Sequence, residues 1–171
     1  MHQLILLRHA KASPDAAGGA DHERALTESG RRAAETVGRR MRDAGLIPDV
    51  VLVSSARRTQ QTLEALQQAG LWDDWPNVDT LPGLYMAGVA QLKEFMRAIP
   101  ETVRSALIIG HNPGLHELAL ELAGPAGGPA QSRLAEGYPT ASLAEFMIPT
   151  AWARIGQGTS LQRFVQPLDI G

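Results

Sequence analysis

The segment Leu4-Ile5-Leu6-Leu7-Arg8-His9-Ala10 decides the fold class. Four consecutive apolar residues without alternation have the length of a strand and offer hydrophobic side chains to both faces, as in a parallel sheet covered by helices on either side. The run stops at an arginine and a histidine, which places two polar groups at the carboxyl end of the strand. Two further runs have the same character. Val50-Val51-Leu52-Val53 follows the Pro48-Asp49 turn, Ala106-Leu107-Ile108-Ile109 ends at Gly110, and residues 78–81 form a weaker fourth candidate. Helical periodicity separates them. Ala34, Val37, Met41 and Ala44 step by three and four residues, with Thr27 as N-cap and Gly45 as the stop. A second helix is expected over residues 57–69, and a third carries Val89, Leu92, Met96 and Ile99 on one side before Pro100. A fourth is expected to open with Asn112 as N-cap and Pro113 at its first position, with Leu115, Leu118, Ala119 and Leu122 as its apolar stripe. Residues 124–129 read as a loop or lid. Residues 143–148 and 161–165 read as an antiparallel pair around Gly156-Gln157-Gly158.

Strands alternating with helices predict an α/β architecture: a mostly parallel central sheet flanked by helices on both faces, in one compact domain over residues 1–171. The functional edge of such a sheet is at the strands' carboxyl ends. Composition narrows the chemistry. Sixteen Lys+Arg against eighteen Asp+Glu give a formal charge of −2, so no global excess draws the chain to nucleic acid or to an anionic bilayer. The absence of cysteine excludes disulfides, thiolate metal sites and cysteine nucleophiles, and makes the cytoplasm the default expectation. The apolar run at residues 4–7 is too short for a signal peptide or a membrane span, and no basic segment precedes it.

Three polar clusters follow three of the strands: Arg8-His9, Arg57-Arg58 and His111-Asn112. All contain cations or potential cations, and none contains a carboxylate. Guanidinium forks match the oxygens of a tetrahedral oxyanion, imidazolium adds a charged donor, and a helix start at Asn112-Pro113 would add backbone N–H groups, so phosphate is the expected ligand. No P-loop lysine and no Gly-x-Ser-x-Gly elbow is present, which leaves histidine as nucleophile. His9 is the best-placed candidate, since a neutral imidazole attacks phosphorus to give a covalent phosphohistidine. His111 would serve better protonated, donating to the transferring phosphoryl oxygens.

At these residues the chain resembles the histidine phosphatase superfamily, the phosphoglycerate-mutase-like fold, and within it the small SixA-type phosphohistidine phosphatases. Leu6-Leu7-Arg8-His9-Ala10 resembles the Arg-His-Gly signature, residues 54–62 resemble Ser-x-x-x-Arg-Ala-x-Gln-Thr, and Gly110-His111-Asn112-Pro113 resembles the second-histidine motif. Asp21-x-x-Arg24-x-Leu26-Thr27-x-x-Gly30 and the length without a large cap are similar to the SixA-type subgroup. The resemblance implies His9 as the phosphorylated nucleophile, Arg8 and Arg58 as phosphoryl ligands, His111 as the group completing the pocket, and Arg24 within reach of it. Arg58 rather than Arg57 falls in the family's register. No metal or organic cofactor is implied. The implied partner is a phosphorylated substrate, such as a phosphohistidine carried by a phosphotransfer domain.

Two departures stand out. Ala10 replaces a glycine, and Gly83 in Leu81-Pro82-Gly83-Leu84-Tyr85 occupies the register of a glutamate general acid. Without that acid, expelling an alkoxide is harder than expelling an imidazole, which favours P–N over P–O cleavage. Asp21, Glu23 and Tyr85 are substitutes the sequence leaves open. The alternatives are a broad small-molecule phosphomonoesterase and a non-catalytic phosphate-binding module. His2, His22 and His116 read as structural, the Arg31-to-Arg42 arginines as a solvated helix face, Trp72 and Trp75 as anchors of a connection, and Thr140 equally as a residue approaching the crevice or as part of a turn before a strand.

Overall fold

The computed structural model describes residues 1–16, 18–125, 127–156 and 158–167. All expected strands form: β1 (His2–Arg8), β2 (Val50–Ser54), β3 (Asn77–Leu81), β4 (Ser105–Gly110), β5 (Leu143–Ile148) and β6 (Ser160–Val165). They make one sheet in the order β3-β2-β4-β1-β5-β6. The first four run parallel, and β5 and β6 pair antiparallel. Gln157, in the turn expected between the last two strands, lies outside the described residues.

The unbroken apolar run of β1 explains the two layers of helices. Successive side chains leave a strand on opposite faces. Leu4 and Leu6 enter one core with Leu92 and Met96 of α3 (Val89–Arg97), Leu115 and Leu118 of α4 (Gly114–Ala123), and Leu134 of α5 (Pro129–Glu136). Ile5 and Leu7 enter a second core with Val37 and Met41 of α1 (Glu28–Asp43) and Leu63 and Leu66 of α2 (Arg57–Gln68). Burying one such side chain stabilises the fold by roughly 1.5–3 kcal/mol. A polar residue anywhere in residues 4–7 would therefore disrupt one core or the other.

Three local expectations change. Asn112 does not cap α4, which starts at Gly114 with Pro113 in the cap position; the Asn112 amide instead donates to the Tyr138 carbonyl at 2.9 Å. A tertiary partner 26 residues away outcompetes the local cap. Residues 124–129 do not remain loop throughout, because Pro129 opens α5. That helix buries only Leu134, too little for a readable apolar stripe. Ile99 is buried as expected but beyond the end of α3.

The start of α1 is built against the loop that follows β1. Thr27 Oγ1 accepts from the Gly30 N–H at 3.0 Å, and the Thr27 N–H donates to the Lys11 carbonyl at 2.9 Å. A Cβ at Gly30 would stand 2.2 Å from that carbonyl oxygen, so only glycine lets the helix approach this closely. Removing the cap in Thr27→Ala is expected to destabilise by about 1 kcal/mol. Gly30→Ala is expected to be worse, about 1–3 kcal/mol, because backbone must move. Urea unfolding midpoints of the two variants check this order.

Candidate active site

The register of the parallel pair β1 and β4 brings the two motif histidines together. Arg8 lies opposite Gly110, so the next residues, His9 and His111, emerge side by side with ring centroids 5.4 Å apart. Val53 pairs with Ile109, which sets Ser54 at the same level as Gly110. Three strands thus end on one line, each presenting its polar residues there.

Hydrogen bonding fixes the tautomer of each histidine. His9 is 6 % exposed, and its Nδ1–H donates to the Ala10 carbonyl at 2.7 Å, which leaves the lone pair on Nε2. A guanidinium only donates, so His111 Nδ1 accepts from Arg58 Nη2 at 3.3 Å and its Nε2–H donates to Ser54 Oγ at 2.8 Å. Both rings are neutral. Burial, reinforced by the Arg58 guanidinium, pushes His9 down to about 4 and His111 down to about 3. For His9 this is the nucleophilic form expected. For His111, beside a buried arginine and before any anion arrives, the ring does not hold a second proton; the imidazolium expected from sequence belongs to the site with a phosphoryl group bound.

The arginines are anchored from behind. Arg8 Nη1 donates to the Tyr138 carbonyl at 3.1 Å, which also receives Asn112, while the buried Tyr138 hydroxyl donates to the Leu6 carbonyl at 2.5 Å. Arg58 is 2 % exposed, and its Nη1 and Nη2 donate to the carbonyl and carboxylate of Asp21 at 2.9 and 3.1 Å. Asp21 also accepts from Arg24 Nε at 2.9 Å and from the Tyr85 hydroxyl. The Tyr85 hydrogen bond, followed by those from the arginines, holds the Asp21 carboxyl well below the usual carboxylate range. The same hydrogen bond raises the Tyr85 phenol.

A cavity of about 260 Å³ brings together Arg8, His9, Arg24, Arg58, His111 and Asn112. Arg57 is exposed at the first position of α2 and is not among the residues lining it. Neighbouring helix residues point about 100° apart, so Arg57 and Arg58 do not share a target. Lys11, Asp21, Met86 and Thr140 complete the wall. A larger hollow of about 420 Å³ lies between α1 and β6, away from both histidines. Among the described residues, no group of His, Asp or Glu is arranged to hold a metal ion. Four cations, Arg8, Lys11, Arg24 and Arg58, around one carboxylate suit a multiply charged tetrahedral anion next to an unprotonated imidazole nitrogen.

One reading from sequence needs revision here. A Cβ at Gly83 would stand 2.8 Å from the Phe95 ring, and Gly83 does not line the cavity, so a glutamate there would point into α3 rather than at a phosphoryl group. His22 does not line the cavity and is structural as expected: its Nε2 hydrogen-bonds Ser55 Oγ at 2.9 Å and its ring meets the edge of Tyr85 at 4.9 Å. Asp21, Lys11 and Tyr138 are among the contributors that the three clusters missed. Asp21 lies in the Asp21-x-x-Arg24 segment, which carried a signal. Tyr138 acts mainly through its backbone carbonyl, which carried none.

The profile of the histidine phosphatase superfamily, branch 1, matches residues 4–85. An uncharacterized protein of Mycobacterium tuberculosis is 34% identical over 155 residues, covering 89% of this chain and 93% of that protein. Among solved structures, the protein assigned as phosphohistidine phosphatase SixA in Nakamurella multipartitia superposes with a TM-score of 0.84 at 32% identity, covering 98% of this chain and 96% of that one. The protein so assigned in Agrobacterium tumefaciens gives 0.81 at 30% identity, covering 97% and 98%.

In the unliganded protein, an NMR titration is expected to find His9 and His111 neutral at pH 6, with midpoints near 4 and 3. Unfolded imidazoles titrate near about 6.5, so below that pH the unfolded chain binds more protons and stability falls as pH drops. Midpoints near the unfolded value for both rings would overturn the neutral-pair assignment.

Proposed function

Because the chain belongs to the histidine phosphatase superfamily, we propose that its phosphatase chemistry is directed at the P–N bond of phosphohistidine and runs through a phospho-His9 intermediate. In the first step the Nε2 lone pair of His9 attacks phosphorus. The bond from phosphorus to the substrate imidazole breaks, its electron pair stays on the departing nitrogen, and that nitrogen takes a proton from solvent. In the second step water attacks phospho-His9, the electron pair of the P–N bond returns to Nε2, and inorganic phosphate leaves with the water's oxygen. Arg8, Arg58 and Arg24 offset the phosphoryl charge throughout.

One observation carries the choice of substrate. Among the described residues the only carboxylate lining the cavity, Asp21, is held ionised by Tyr85, Arg24 and Arg58. It supplies no proton to an alkoxide. An imidazole leaving group needs no such acid beyond solvent, whereas an alkyl phosphate does. The SixA assignments of two neighbours at 30% identity or above support the same reading. A phosphohistidine on the surface of a partner protein is the natural form of this substrate, since Lys11 and Met86 at the wall are exposed.

Incubating the protein with a phosphohistidine peptide or phosphoramidate, quenching in alkali and mapping the adduct by mass spectrometry tests the mechanism. Phosphate on His9 with release of inorganic phosphate is expected. His9→Ala is expected to lose turnover while keeping its circular dichroism and unfolding midpoint. Binding of phosphate without adduct or turnover would point to a phosphate-binding module, and faster turnover of alkyl phosphates would point to a general phosphomonoesterase.

A further inference from the structure

Met86 is unusual on three counts. It is a large apolar side chain left 49 % exposed, it is one of two non-glycine residues with positive φ among the described residues, and it lines the cavity that holds both histidines. A φ of 53° is a left-handed conformation that a side-chain-bearing residue adopts only where its surroundings impose it. The surroundings do so here. Leu84 and Ala87 on either side are buried, and the Ala87 N–H donates to the Leu84 carbonyl at 3.2 Å. The Tyr85 hydroxyl is tied to Asp21, and its ring stands edge-on to His111 at 5.4 Å. Gly114 at the start of α4 brings that helix against the turn so closely that a Cβ would lie 1.9 Å from the Ala87 carbonyl oxygen. These neighbours are held in place, and Met86 is exposed at the cavity with its sulfur 4.0 Å from Arg58 Nη2.

In an in-line displacement the leaving group lies on the far side of phosphorus from the attacking nitrogen. His9, 6 % exposed, lies on the buried side of the cavity, so a bulky leaving group faces its open side. Met86, 49 % exposed, lines that open side, with its thioether beside an arginine proposed to hold the phosphoryl oxygens. A polarizable sulfur on three rotatable bonds packs well against the edge of an aromatic ring.

Resting on the phosphohistidine reading, we infer that Met86 is a specificity-determining residue: its thioether forms the platform for the departing ring, favouring phosphoryl groups carried on a flat aromatic nitrogen heterocycle over those on a small leaving group. The constrained turn holds the platform in place before the substrate arrives.

The experiment compares N-phosphoimidazole with phosphoramidate, which share the P–N bond but differ in the ring. The ratio of their kcat/KM values is measured for the unsubstituted chain, Met86→Ala and Met86→Leu. Met86→Ala is expected to lower the ratio of phosphoimidazole to phosphoramidate about 2- to 10-fold, the range a sulfur–aromatic contact carries. Met86→Leu, which restores apolar volume, is expected to recover most of it. An unchanged ratio in Met86→Ala overturns the inference while leaving the phosphatase reading intact. No turnover of either compound by the unsubstituted chain overturns the phosphatase reading, and the inference falls with it. Loss of the unfolding transition in Met86→Ala would show a structural role instead.

Discussion

The pairing of Arg8 with Gly110 across two parallel strands is the constraint on which the site depends. A sheet has period two, so a slip of one residue between β1 and β4 would turn His9 and His111 to different levels and send Leu4 to Leu7 into the wrong cores. The same register is secured from several sides. The His9 N–H donates to the Gly110 carbonyl at 3.2 Å, β5 pairs along the other edge of β1, and both faces are covered by helices whose apolar stripes fit only one alternation. Catalytic geometry here is a by-product of core packing.

Electrostatics then determines the protonation states that this geometry holds. A buried Arg58 near a half-buried Arg8 is unfavourable, and Arg8 is lowered both by burial and by Arg58. Asp21 compensates by taking Arg58 on its backbone carbonyl and its carboxylate together, and Arg24 shares the same carboxylate. Asp21 is itself half exposed, so solvent screens the pair and its worth to stability is modest. Its effect is on orientation. It points the Arg58 guanidinium so that one nitrogen reaches His111, and that contact in turn selects the His111 tautomer.

Much of this was legible in the chain. The apolar runs located three of the four parallel strands, with residues 78–81 a weaker candidate for the other. Arg8, His9 and His111 were readable because they stand at strand ends and share one chemistry, and Arg58 was separated from Arg57 by the family register. What escaped detection acts across long sequence separations. The Tyr138 carbonyl anchors Arg8 from 130 residues away, and no side-chain type signals a backbone acceptor. Asn112 had the identity of a cap and was recruited elsewhere. α5, with its single buried leucine, has too little periodicity to announce itself. Gly83 illustrates the opposite error: a family register predicted its role, and the direction of its missing side chain, toward Phe95, decided otherwise.

The hydrogen bond from His9 Nδ1 to the Ala10 carbonyl has a consequence for the two halves of the proposed cycle. With that proton committed to a carbonyl that cannot return one, only the distal nitrogen can carry phosphate, and the phosphorylated ring becomes a cation. When water displaces it, His9 departs as neutral imidazole, never as imidazolate. The substrate's own imidazole has no such assurance and must collect its proton on the way out. The two displacements resemble each other at phosphorus, but their proton inventories differ, and the half that depends on an outside proton is the one the partner's phosphohistidine brings.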